Sequence, residues 1–188
     1  MAKLYTVDRR GALHTDYVME LIKDFNNFEI CKIADLCDRS ESISRLEKMF
    51  PDGISNHGKQ YLIDSWLILE RNGIRTNYAP VEPLMEAVLE LVRRSEFPNL
   101  PSRMSSMFCW ESLDCANNFI TSNRLTNVNI YEIEAKDYFV GDMSIIFLGG
   151  QLVHSLELAR KYWAGEKGPK PILEAVVPLP IKIGKQIQ

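Results

Sequence analysis

Ile172-Leu173-Glu174-Ala175-Val176-Val177, then Pro178-Leu179-Pro180, then Ile181 to Ile187, reads as two strands in direct succession. Both runs are rich in β-branched residues, and the prolines punctuate them. No helix stands between them, which breaks the regular β-α-β-α alternation of a doubly wound sheet. Working backwards, Gly165 to Pro171 is a polar loop, and Leu152 to Trp163 has helical spacing, with Leu152, Leu156, Ala159 and Trp163 aligned. Met143 to Leu148 reads as a buried strand after a Gly141-Asp142 turn, and Asn129 to Ala135 as a half-buried strand. Ser112 is placed to cap a short helix reaching about Thr121, and Arg103 to Trp110 reads as a strand.

Further upstream the pattern is helical. Val81, Leu84, Met85, Val88, Leu91 and Val92 form a stripe over Val81 to Arg94, after which Phe97 to Pro101 is a rigid connector. Ser42 to Phe50 has helical spacing, ended by Pro51-Asp52-Gly53. Residues 12–38 sustain neither period, and residues 55–77 do not declare a class. Lys3 to Val7 reads as a strand. The order is a strand, a long helical region, then strands with two helices among them. That predicts an α+β fold with a mixed or antiparallel sheet.

Composition narrows the function classes. The 188 residues are 46% hydrophobic and carry a formal charge of −3, which excludes a disordered chain and a broadly basic nucleic-acid binder. No apolar run reaches the roughly 18 residues of a membrane span, and Met1 to Val7 lacks the apolar core of a secretory signal. Cys31 and Cys37, like Cys109 and Cys115, are separated by five residues rather than the two of a zinc knuckle. The expectation is buried reduced thiols, no metal, no membrane and a cytoplasmic setting. Phosphate-loop, Gly-x-Gly-x-x-Gly, His-Glu-x-x-His and Gly-x-Ser-x-Gly signatures are all lacking.

Strand parity singles out one acid. In Ile172 to Val177, Glu174 shares a face with Ile172 and Val176, while Leu173, Ala175 and Val177 take the other. A carboxylate so placed must be paired or open to a cleft. Glu132 and Glu134, by contrast, share the solvated face of their strand, opposite Tyr131 and Ile133. Arg103, Ser105 and Ser106 enter the strand at Pro101 to Phe108 and could meet a diphosphate or ribose, as could Arg9 and Arg10 after the first strand. Of three histidines, His57 lies in a loop-like Ser55-Asn56-His57-Gly58 context, and His154 lies off the apolar stripe of its helix.

These pieces, in this order, resemble the ADP-ribosyltransferase fold. The resemblance rests on an opening strand, Leu4-Tyr5-Thr6-Val7-Asp8-Arg9, and a middle strand and helix, Ser105 to Trp110 with Ser112 to Phe119. A further strand, Ile130 to Ala135, and a late strand carrying Glu174 complete it. The chain is also similar to an uncharacterised bacterial and phage group with Pro-Ser-Arg before an aromatic-rich strand and Tyr-Trp before the final strands. The resemblance implies one ADP-ribosyltransferase-like domain over 1–188, with a helical insertion at about 13–97. It implies NAD as co-substrate and transfer of ADP-ribose to a macromolecular acceptor, protein or nucleic acid. A toxin or phage-defence role, with an antitoxin or regulatory partner protein, is also implied. Glu174 would stabilise an oxocarbenium-like ribose; Arg9 or Arg103 would hold the diphosphate; Ser105 or Ser106 would meet the ribose or orient Glu174. Tyr131, Tyr138 or Tyr162 would stack on nicotinamide. Two positions depart from the pattern: residue 6 is threonine rather than arginine, and residue 172 is isoleucine where an acidic or amide residue often selects arginine acceptors. A 2′-phosphotransferase acting on RNA through His57, Arg9 and Arg103, or a non-catalytic nucleotide- or protein-binding module, would fit the same frame.

Overall fold

The computed structural model describes residues 1–30, 37–65, 81–148 and 151–187. Two antiparallel sheets form its centre. One contains β1 (Ala2–Asp8), β4 (Asn129–Ala135), β7 (Ile181–Gln186) and β2 (Val18–Met19), in the order β1-β4-β7-β2. The other has the order β3-β6-β5, from β3 (Ser106–Cys109), β6 (Leu173–Pro178) and β5 (Phe139–Asp142). The α+β class is as expected, and every pairing is antiparallel among the described residues. The last two strands, consecutive in sequence, fall in different sheets.

The sheets pack face to face. Leu4, Tyr131, Ile133 and Ile183 of the first meet Met107, Cys109, Ala175 and Val177 of the second. The second sheet's other face carries Val176 and is covered by α3 (Val81–Glu96) and α5 (Leu152–Trp163). The parity of β6 is therefore as read, with Glu174 on the helix-covered face beside Val176. α4 (Leu113–Ser122), capped by Ser112 Oγ on Cys115 N, packs Ala116 and Phe119 against Trp110 and Ile130. α1 (Arg39–Met49) starts at a capping box between Asp38 and Glu41 and buries Ile43 and Leu46 with Phe25, Phe28 and Phe50.

Several expectations are corrected. The described part of residues 12–38 contributes β2, whose Val18 and Met19 pair with Lys182 and Ile181, so the insertion is not helical throughout. Residues 55–65 hold the short α2 (Asn56–Lys59) and a π-turn, Gln60–Asp64; the rest of 55–77, including the apolar run Trp66 to Leu69, lies outside the described residues. Met143 to Leu148 is not a strand, because the buried Asp142 carboxylate accepts from Ser144 N, Gly168 N and Ile172 N and folds the chain into a turn. Gly141 and Asp142 belong to β5 instead. Arg103 precedes β3 in a 3-10 turn, Arg103–Ser105, so strand parity does not govern its direction. α3 is rotated from the expected stripe: Val81, Leu84 and Leu91 are exposed, and Met85, Glu86, Leu89, Glu90, Val92 and Arg93 face inward. α5 likewise leaves Leu152 exposed and buries Ser155, Ala159, Tyr162 and Trp163. Of the described cysteines only Cys109 is buried; Cys37 is half-buried and Cys115 is exposed, while Cys31 lies outside the described residues.

Candidate functional site

A single bridge, Tyr5 with Trp110, joins the two sheets among the described residues. Beyond it no further bridge pairs β1 with β3 among the described residues, and Thr6 Oγ1 donates to the Phe108 carbonyl at 3.2 Å. A cleft of about 610 Å³ opens there, lined by the end of β1, β3, α2, α3 and Glu174 of β6. That volume is within the roughly 300–1,000 Å³ usual for small-molecule sites.

The floor is an ionic cluster around Arg103, only 6% exposed. Its Nε and Nη2 donate to the Glu86 carboxylate at 2.8–3.2 Å. Its Nη1 donates to Tyr162 Oη at 2.8 Å and to Glu174 Oε1. The Tyr162 hydroxyl donates to the same Glu174 oxygen at 2.8 Å. The guanidinium lies over the Phe108 ring, 4.5 Å from its centroid. Glu174 is 2% exposed, so the pairing its parity demanded is present, and it also borders the cleft. Burial alone would push the Glu86 carboxyl up, but Arg103 and then His57 outweigh it and hold it down to about 2. Burial pushes the Tyr162 phenol well above its ordinary range, so it stays protonated and remains a donor.

Local sequence explains the assembly. Ser55 caps α2 through Gly58 N, and Gly58 must be glycine because a Cβ there would overlap the Met104 carbonyl. That close approach brings His57 beside α3. His57 Nε2 stands 3.2 Å from Glu86 Oε1, an ion-pair distance at an angle that makes no hydrogen bond. Its ring is walled by Tyr61 and Phe108, with centroids at 4.7 and 4.6 Å. One turn beyond Glu86, Glu90 binds Arg93, Arg94 and the Ser102 hydroxyl, and so braces the residue before Arg103. At the mouth, buried Asp8 accepts from Arg10 N and Leu13 N, shaping a turn that presents exposed Arg9 and Arg10. Arg10 donates to Gln60, while Arg9 has no ion pair among the described residues.

Glu174, Arg103, His57, Ser106 and Arg9 therefore line one cleft, with Tyr162 touching two of them from behind. Arg103 is committed to carboxylates and has no free edge for a diphosphate. Ser106 Oγ donates to the Ser102 carbonyl at 2.7 Å, closing the turn that carries Arg103. Ser105, in the same 3-10 turn, points elsewhere, donating to the Gly53 carbonyl, and does not border the cleft. Tyr131 is buried between the sheets with its hydroxyl on Leu13 O and Gln186 Oε1, and Tyr138 bonds Glu111; neither borders the cleft. Sequence reading missed Glu86. Its signal was the spacing Glu86, Glu90, Arg93 beside Met85, Leu89 and Val92, a charged face inside an apolar one.

Gly141 sits opposite Glu174 in the β5–β6 register, and the missing side chain leaves room for the Tyr162 ring. A Cβ at Gly141 would overlap Cε2 and Cζ of that ring. Gly141→Ala is therefore expected to cost about 1–3 kcal/mol by overpacking. It would also move the Tyr162 hydroxyl off Glu174, which denaturant titration with tyrosine fluorescence would register.

Fold and site together define an α+β protein with an inter-sheet cleft floored by two carboxylates that share one arginine. The chain belongs to the family described as "Protein of unknown function (DUF2441)", whose profile matches residues 15–188. No curated protein matches it significantly. Among the described residues no helix is long and apolar enough to cross a membrane.

Proposed function

We propose that the cleft binds NAD and that the protein transfers ADP-ribose from it to a macromolecular acceptor, Glu174 stabilising the ribose cation. The observation that carries this reading is the charge arrangement of the cleft. Two carboxylates, Glu86 and Glu174, meet one guanidinium at the floor, a formal excess of one negative charge. Two arginines stand at the mouth. Cleaving the nicotinamide–ribose bond starts from a cationic ring and develops positive charge at the ribose carbon, while the diphosphate is anionic. A negative floor, and two exposed guanidinium groups at the mouth beside Asp8 and Glu82, suit the two ends of that molecule. Arg103 acts as a positioning residue for both carboxylates, which leaves the diphosphate to Arg9 and Arg10.

Incubation with NAD should release nicotinamide, and NAD should raise the melting temperature. Arg9→Ala with Arg10→Ala is expected to weaken NAD binding about tenfold or more, the weight of a charge-assisted hydrogen bond to phosphate. The double variant should melt as wild type does, since both side chains are exposed. Unchanged affinity would remove them from the site.

One observation favours a second reading, a nucleotide-binding module without catalysis: Glu174 is already ion-paired, as a structural carboxylate would be. A thermal shift with NAD or ADP-ribose but no nicotinamide release would decide for it. Phosphate transfer from a 2′-phosphorylated RNA, tested beside these, would instead support the phosphotransferase alternative, although Arg103, which that reading needs, is held by two carboxylates.

A further inference from the structure

Glu174 and Arg103 account for one end of the floor, but not for His57. The imidazole projects from α2 into the cleft with its side chain 18% exposed, between Tyr61 and Phe108, which fix the plane of the ring. Its Nε2 faces a carboxylate that is itself anchored by the guanidinium. Its Nδ1 makes no hydrogen bond among the described residues. One ring nitrogen backed by a buried carboxylate and the other left open is the arrangement that orients an imidazole to take up a proton.

We propose that His57, oriented by Glu86, is the general base that deprotonates the acceptor nucleophile. This rests on the transferase reading above and adds the step that reading leaves open. The bond between the ribose carbon and the nicotinamide nitrogen breaks, and its electron pair leaves on neutral nicotinamide. An O–H acceptor, water or a hydroxyl, forms the new bond to that carbon. Its proton passes to Nδ1 of His57, and Glu86 balances the imidazolium. Glu174 holds the cationic sugar and takes no proton.

The test uses nucleophiles that differ in needing a base. With water as acceptor, His57→Asn is expected to slow nicotinamide release about 10²-fold or more, the usual weight of one general base. Azide attacks without losing a proton, so it should restore turnover of the variant to the wild-type azide rate. Added imidazole should partly rescue water-dependent release by His57→Ala. A variant as active as wild type with water overturns the inference. So does a variant equally impaired with azide, because its defect is then structural. If wild type itself releases no nicotinamide with water or azide, the transferase reading falls and this step falls with it.

Discussion

On the proposed transferase reading, Glu174→Gln is expected to lower nicotinamide release from NAD by at least about 10²-fold while the protein still folds and binds NAD. The side chain lies on β6 opposite Gly141, with Oε1 accepting from Tyr162 and Arg103. Glutamine keeps an oxygen to accept both bonds, so the hydroxyl and guanidinium stay satisfied. Only the charge goes, and the floor becomes formally neutral with Glu86 alone against Arg103. Loss of one preorganised electrostatic partner of a transition state typically costs about 10²–10³ in rate. The cost in stability should be smaller than for alanine, which would also leave Arg103 and Tyr162 short of an acceptor in a buried place. Single-turnover release of nicotinamide, beside a melting curve with and without NAD, separates the two effects. A variant that keeps its NAD-dependent stabilisation and its full rate would rule Glu174 out as the stabilising group.

How much of this was legible in the sequence depended on which physical rule governed each residue. Strand parity held wherever a strand was real: Glu174 falls on the face of Val176, and Glu132 and Glu134 turn away from the core face of Ile133. Ser112 was legible as a cap because its role is local. Met143 to Leu148 was misread because an apolar run fits a strand or a packed turn equally well, and the deciding partner, Asp142, binds residues more than twenty positions away. The direction of Arg103 was lost for a similar reason, since Ser102 Oγ and Ser106 Oγ wind it into a 3-10 turn that strand spacing cannot foresee. Glu86 was missed because α3 carries apolar residues on more than one face, so a stripe through Leu84 and Leu91 looked as good as the buried one. Tertiary pairing chose between them: Arg103 and Arg93 need carboxylates, and Glu86 and Glu90 are one turn apart.

Arg103→Leu is expected to have the largest effect on stability, about 3–5 kcal/mol, because it leaves two buried carboxylates facing each other without their counter-charge. For a chain of this length that lowers the melting temperature by about 6–20 °C. Its pH dependence should also invert. In the wild type, Glu86 is held to about 2, below the roughly 4.3 of an unfolded glutamate. Its contribution is therefore complete above pH ~4.5 and is lost as pH falls towards 2. Without Arg103 burial dominates, and the folded carboxyl binds its proton more tightly than the unfolded one does. The variant should then lose stability as pH rises and gain it on acidification from 7 towards 5, where Glu86 gives the wild type no gain. Urea midpoints at pH 7 and pH 5 for both proteins test this, and parallel behaviour would mean that Arg103 does not set the state of the floor. Removing the whole cluster should behave differently again. Arg103→Leu combined with Glu86→Leu, Glu174→Leu and Tyr162→Phe exchanges the buried charges, and the hydroxyl that bonds them, for apolar side chains, a replacement that is often neutral or stabilising. The quadruple variant is expected to melt within a few degrees of wild type and to release no nicotinamide. That pairing of outcomes would mean that the charges at the cleft floor are kept for chemistry rather than for the fold.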